Sequence, residues 1–252
     1  LVTFAEYPNP AMQIPYIIFS GSRYKPIWDL QEQVLAHNLA LKKQMPDQQP
    51  PTVQAFLLGE HCPVFTLGKS GNIANLLLNH DDLMAKGIDY WHINRGGDIT
   101  YHGPGQITGY PILDLERHKP SAAWFIENME DAIMDTLRYF GIDSQRINGL
   151  TGVWIKGNNQ EEDKKICAIG VKLSRWVSIH GFALNVSTDL SYYRYIVPCG
   201  INDKGITSMS AELGKTLSPQ EVYPVLIESF ANRFSVGFYA SALPELIHSL
   251  SM

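Results

Sequence analysis

Apolar residues recur every three or four positions through residues 26–44, and that spacing predicts an amphipathic helix. Ile27, Leu30, Val34 and Leu41 fall near one face, with Trp28, Leu35 and Leu39 beside them. Pro26 suits a first turn, and Lys42 and Lys43 suit the negative end of the helix dipole. A second stripe, Phe125, Met129, Ala132, Ile133, Leu137 and Phe140, predicts a helix over 121–140 that Gly141 stops. A third helix starts at "SPQE": Ser218 can cap, Pro219 takes the first turn, and Glu221 completes a capping box. It runs to about Arg233.

Between these helices the pattern is that of strands. "VQAFLLG" and "VFTLG", joined by "EHCP", read as two strands, and "IDYWHIN" as another after a short helix around "DDLMAKG". Residues 95–115 begin as a glycine-rich loop and end as a strand. "TGVWIKG", "KICAIGVKL" and "WVSIHGFALNV" follow, the last two as paired neighbours. Helices and strands do not alternate strictly. The expected fold class is therefore α+β, a mixed sheet flanked by helices, and not a doubly wound dinucleotide fold. The polar stretches at 46–51 and 157–164 are too short for domain linkers. One domain over 1–252, with a small C-terminal subdomain at about 205–252, is the expected organisation.

Composition narrows the classes. With 45% apolar and 18% charged residues the chain can bury a sizeable core. A net charge of −5 without a long basic run argues against non-specific nucleic-acid binding. No apolar run approaches the ~20 residues of a membrane span. The first residues carry prolines and an acid where a signal peptide needs a basic start. Three cysteines, Cys62, Cys167 and Cys199, form neither a disulfide framework nor a C-x-x-C zinc motif. These features lead us to expect a cytoplasmic protein with no membrane association, no metal and no cofactor.

The candidate chemistry lies in three places. "RGGDITYHGPGQ" packs four glycines into the eleven residues 95–105 beside Arg95, Tyr101 and His102. It matches neither dinucleotide nor P-loop spacing, and reads either as a binding loop or as a glycine-rich hairpin. Lys165 opens an apolar strand, so it differs from the solvated Lys164, and partial burial can lower a lysine's pKa. His180 reads as a structural histidine at a strand end, Cys167 as a core thiol, and Cys62 as a turn residue. "IVPCGI" sets Cys199 between Pro198 and Gly200, a tight turn that presents either a structural thiol or a nucleophile. A free thiol near pKa 8.5 is only a few per cent thiolate at neutral pH, so a nucleophilic Cys199 needs a cationic partner.

Taken in order, "RGGDITYHGPGQITGYPILDL", "KICAIGVKLSRWVSIHGFALNV", "IVPCGI" and "GITSM" resemble the octanoyltransferases of lipoate biosynthesis over about residues 55–210. The acidic "NNQEEDK" before Lys165 is not a feature of the motif. The resemblance implies the fold shared by the catalytic domains of lipoate– and biotin–protein ligases. It implies transfer of an octanoyl group from octanoyl-acyl carrier protein to a lysine of lipoyl domains. The acceptors would be 2-oxoacid dehydrogenases and the glycine cleavage H protein. The family's Cys/Lys dyad matches Cys199 and Lys165, and works through a thioester intermediate without ATP or metal. Its substrate-binding segments match Arg95, Gly96, Gly97, Asp98, Ile99, Thr100, Tyr101 and His102, then Ala168, Ile169 and Gly170, then Gly181, Phe182 and Ala183.

Two other readings stand beside this one. An ATP-dependent lipoate or biotin ligase of the same fold would have no need of Cys199. A non-catalytic module for acyl carriers or lipoyl domains would be indifferent to its alkylation. Because carriers and lipoyl domains are typically acidic, a local basic patch is expected from Lys69, Arg95, Lys172, Arg175 and Lys204.

Overall fold

The computed structural model describes residues 12–46, 48–157, 162–197 and 205–250. Its strands are β1 (Gln13–Ser22), β2 (Ala55–His61), β3 (Val64–Leu67), β4 (Asp89–His92), β5 (Ile99–His102) and β6 (Gln106–Ile112). After these come β7 (Gln145–Ile147), β8 (Leu150–Ile155), β9 (Lys164–Ser174), β10 (Val177–Asn185), β11 (Gly205–Ile206) and β12 (Gly237–Ala240). The helices are α1 (Tyr24–Gln44), α2 (His80–Lys86), α3 (Ala122–Tyr139), α4 (Met209–Leu213), α5 (Pro219–Phe234) and α6 (Leu243–Ser249).

The main sheet runs β12-β1-β2-β6-β10-β9-β8-β7, with β11 added on β9, and a small sheet runs β4-β3-β5. β1 pairs in parallel with β2 and β12, while β2, β6, β10, β9 and β8 pair antiparallel. The mixed, helix-flanked sheet expected from the sequence is the one observed. β2 and β3, adjacent in sequence, go to different sheets. So do β5 and β6, and the glycine-rich stretch between residues 95 and 112 therefore spans the gap between the two sheets.

Both faces of the main sheet are covered, and so every residue of β6 and all of β2 but Glu60 are buried. Phe56 and Leu58 pack with Phe125, Met129 and Ile133 of α3 and Leu226 and Phe230 of α5. Ala55 and Leu57, on the opposite face, pack with Ile27, Leu30 and Val34 of α1. Each fully buried Val, Leu, Ile, Phe or Met among them contributes about 1.5–3 kcal/mol. β9 and β10 form a hairpin whose turn residues, Arg175 and Trp176, have φ of 45° and 65°, as a two-residue turn matched to strand twist requires. Lys42 secures that turn from α1. Its Nζ reaches Asp114 Oδ1 at 2.6 Å, Glu116 Oε2 at 3.0 Å and the Arg175 carbonyl at 2.9 Å.

Candidate active site

A cavity of about 410 Å³ lies between the main sheet and the small sheet. Lys165, Arg95, Ala168, Gly170, Gly181 and Ala183 are in its wall.

The sheet has to break step to bring these residues together. Strict alternation would put Lys165 and Ala168 on opposite faces of β9. Val153 pairs with Cys167 but Trp154 pairs with Lys165, so Ile166 is an extra residue in β9. Ile166 and Cys167 are both fully buried in the core. This bulge turns Lys165 back to the cavity face, as bulges beside active sites commonly do. On the far side Ile206 of β11 pairs with Lys165, and Thr207 N donates to the Lys165 carbonyl at 3.0 Å. The chain from Gly205 to Thr207 therefore joins the sheet beside Lys165. Cys199 itself lies outside the described residues.

The Lys165 ammonium stands 4.6 Å from the centre of the Trp154 ring, within cation–π range. Its stem passes Gly152, where a Cβ would meet Lys165 Cε at 3.5 Å and the Cys167 carbonyl at 2.6 Å. Gly152 N donates to Glu130 Oε1 at 2.9 Å, and Arg146 Nε donates to Glu130 Oε2 at 2.7 Å. A buried carboxylate from α3 thus fixes the strand under Lys165.

Arg95 is built into the scaffold. Its Nη2 donates to the Thr66 carbonyl at 2.8 Å and to Thr66 Oγ1 at 3.1 Å, and its Nη1 donates to the Gly96 carbonyl at 2.9 Å. Gly170 leaves room for it, since a Cβ there would sit 3.1 Å from Arg95 Cδ. Gly97, Asp98, Ile99, Thr100 and His102 also line the cavity. Gly96 and Tyr101 do not. Gly96 N bonds to the Val171 carbonyl at 3.0 Å, and Tyr101 stacks on Tyr192 with ring centres 4.5 Å apart in the core of the small sheet. Ile169 and Phe182 complete the predicted segments of the wall.

The histidines of this region are neutral. Gln106 Nε2 donates to the Tyr101 carbonyl, which fixes its amide, so Gln106 Oε1 accepts from His102 Nδ1–H at 2.9 Å. His102 Nε2 then accepts from Thr66 Oγ1 at 3.2 Å. Burial pushes the His102 pKa down to about 3, aided by neighbouring His61, and burial pushes His61 down to about 4. Both nitrogens of His102 are committed, which leaves it a structural part of the wall and not a proton carrier. Burial likewise lowers His180 to about 3.

The lipoyl protein ligase A/B catalytic domain family matches residues 27–231. An octanoyltransferase of Flavobacterium psychrophilum is 47% identical over 214 residues, covering 84% of this chain and 92% of its own. One from Solibacter usitatus is 47% identical over 211 residues, covering 84% and 88%. The chain belongs to the octanoyltransferase family. Its fold is also that of a bipartite lipoate protein ligase from Thermoplasma acidophilum, with a TM-score of 0.67 at 17% identity, covering 95% of this chain and 91% of that one. A lipoate-protein ligase A bound with ATP gives 0.65 at 18% identity, covering 95% and 93%.

Sequence reading passed over several members of the wall. Tyr24 opens α1, and Tyr110, Asn185 and Tyr193 come from β6, β10 and the turn after it. No local signal marked them, because only the crossing of two sheets brings them to the cavity. His180 was expected as a structural histidine at a strand end. It lies within β10 and not at a strand end, and its φ of 60° is a left-handed conformation costing a non-glycine residue about 1–2 kcal/mol. No helix among the described residues is long and apolar enough to cross a membrane.

Proposed function

We propose that this protein moves an octanoyl group from octanoyl-acyl carrier protein to a lysine of a lipoyl domain through a thioester on Cys199. The observation that carries the reading is the bulge-turned Lys165, which shares one cavity wall with the glycine-rich segment, Ala168–Gly170 and Gly181–Ala183. Octanoyltransferase relatives of nearly the same length support it.

In the first half-reaction the Cys199 thiolate attacks the carrier thioester carbonyl. The S–C bond to Cys199 forms, the bond to the carrier's sulfur breaks, and that thiolate takes the proton given up by the dyad. An ammonium about 4 Å from a thiolate is worth up to ~4 kcal/mol at an effective dielectric of ~20, enough to make the thiolate dominant at neutral pH. Lys165 supplies that charge. In the second half-reaction the acceptor lysine amine attacks the acyl-enzyme: the amide N–C bond forms, the S–C bond to Cys199 breaks and releases its thiolate, and Lys165 takes the amine's proton as base. The oxyanion of each step is held by backbone N–H groups of the glycine-rich segments. The acyl chain occupies the cavity between the sheets.

Transfer kinetics test the scheme. Varying carrier and lipoyl-domain concentrations together should give the parallel reciprocal plots of a ping-pong enzyme. Intersecting plots, or turnover that requires ATP and free acid, would contradict it.

A further inference from the structure

Residues 68–77 strap the glycine-rich segment to the chain that leads into Cys199. On one side Gly68 N donates to the Asp98 carbonyl at 3.1 Å, and Lys69 N donates to the Arg95 carbonyl at 2.9 Å. On the other side Leu77 N donates to the Tyr195 carbonyl at 2.9 Å and Val197 N donates to the Asn75 carbonyl at 2.8 Å, while Leu76 pairs antiparallel with Ile196. The strap therefore grips the chain as far as Val197, two positions before Cys199.

One carboxylate organises the middle of the strap. Asp98 Oδ1 accepts from Asn72 N at 3.2 Å, at the start of the 3-10 turn Ile73–Asn75, and Asp98 Oδ2 accepts from Asn75 Nδ2. A carboxylate only accepts, so the bond also orients the Asn75 amide. The approach is close, since a Cβ at Gly71 would lie 2.7 Å from Asp98 Oδ1. Asn75 is thus tied by its side chain to Asp98 and by its carbonyl to Val197. Asp98 lines the cavity, whereas Asn75 does not.

We propose that Asp98, expected from the sequence as a substrate contact, is a positioning residue: through Asn75 and Val197 it sets where the chain delivers Cys199 to Lys165. The role of Cys199 rests on the proposed transfer reaction; the strap rests on the hydrogen bonds alone. A displacement of about 1 Å at a reacting centre can cost roughly a hundredfold in rate. A side chain that touches no reacting atom can therefore govern the reaction.

The test exchanges the two partners. Asn75→Asp sets two carboxylates against each other and releases the strap. Adding Asp98→Asn restores one carboxylate facing one amide, with the charge moved from residue 98 to residue 75. Iodoacetamide alkylation of Cys199, followed by peptide mass and referenced to the half-buried Cys62, reads the thiolate without any substrate. Its pH midpoint should rise by about one unit in Asn75→Asp, which is about tenfold less thiolate at neutral pH, and return in the double variant. Acylation by octanoyl-acyl carrier protein should fall and recover in step. Asp98→Ala separates position from charge: removing a negative charge alone lowers the midpoint, whereas releasing the strap raises it. A midpoint lowered in Asp98→Ala overturns the proposal. So does a double variant that stays slow, as a carboxylate binding substrate from residue 98 would require. Octanoyl uptake by the wild type, with the midpoint unmoved in every variant, sinks this inference and leaves the transferase standing. A midpoint that moves and returns without octanoyl transfer does the reverse.

Discussion

Lys165 and Trp154 face each other across the β8–β9 bulge, the ammonium 4.6 Å from the ring centre. The bulge decides which side of the sheet the lysine serves, and the ring gives its charge a defined resting position. Trp154 is only 1% exposed, so the same ring also fills the core. Trp154→Ala should cost about 3–5 kcal/mol in denaturant unfolding. Trp154→Phe keeps an aromatic face and should cost less while retaining most of the acylation rate. Equal loss of rate in both variants would show that the ring face is not what Lys165 uses.

Gly181 has no room for a side chain. An added Cβ would lie 2.0 Å from the Gly109 carbonyl and 2.8 Å from Pro111 Cδ, both on the neighbouring strand β6. Gly181→Ala must push β6 and β10 apart beside the cavity. We expect a stability loss of about 1–3 kcal/mol and a larger drop in octanoyl transfer than a surface Gly214→Ala control with similar loss of stability. An unchanged unfolding midpoint would contradict the packing described.

The Lys42–Asp114 pair ties α1 to the segment that follows β6, with side chains 6% and 2% exposed. Lys42→Met should cost about 3–5 kcal/mol, because it leaves a buried carboxylate unpaired. Thr52 Oγ1, 3.0 Å from Asp114 Oδ2, cannot replace the lost charge. The double variant Lys42→Met/Asp114→Leu should recover part of the loss in thermal unfolding. A double variant less stable than the single one would mean that the pair is not what Lys42 contributes.

Acid should weaken the fold earlier than carboxylate protonation alone. Burial holds His61 near 4 and His102 and His180 near 3 in the folded state, against ~6.5 in the unfolded chain. As pH falls below that value the unfolded chain takes up protons first. Stability is therefore full above pH ~6.5 and declines toward pH 4, by up to about 1.4 kcal/mol per pH unit for each histidine. Melting temperatures measured from pH 7 to pH 4 should show the decline, and His61→Gln should flatten it. A flat profile in the wild type would show that these rings ionise without unfolding.

Of the basic residues expected to receive an acidic carrier, Lys172 is already engaged. It pairs with Glu32. Arg175 is exposed at the hairpin tip and is the cleaner probe. Arg175→Glu should slow acyl transfer from the carrier several-fold, chiefly through association, and leave transfer from a small octanoyl thioester unchanged. Equal slowing with both donors would remove Arg175 from the docking surface.

What the sequence made legible was whatever repeats locally. The stripes in 26–44 and 121–140 and the capping box at Ser218 correspond to α1, α3 and α5. The glycine-rich segment and the Lys165 strand were visible by composition. The assignment of β5 and β6 to separate sheets was not, because adjacency in sequence favours a hairpin and only the long-range pairing of β5 with β3 and of β6 with β2 overrides it. The bulge at Ile166 was equally hidden. It depends on the register of β8, which no residue of "KICAIG" announces. His180 looked ordinary because its unusual backbone is a property of the folded site.

The proposed transfer rests on a thioester on Cys199 supported by Lys165. Intact-mass measurement after mixing the protein with octanoyl-acyl carrier protein tests it most directly, beside Cys199→Ala and Lys165→Ala. The wild type should gain one octanoyl group that hydroxylamine removes, Cys199→Ala should gain none, and Lys165→Ala should gain it slowly or not at all. A folded wild type that gains no octanoyl group from a competent carrier, or an adduct that persists in Cys199→Ala, would contradict the account.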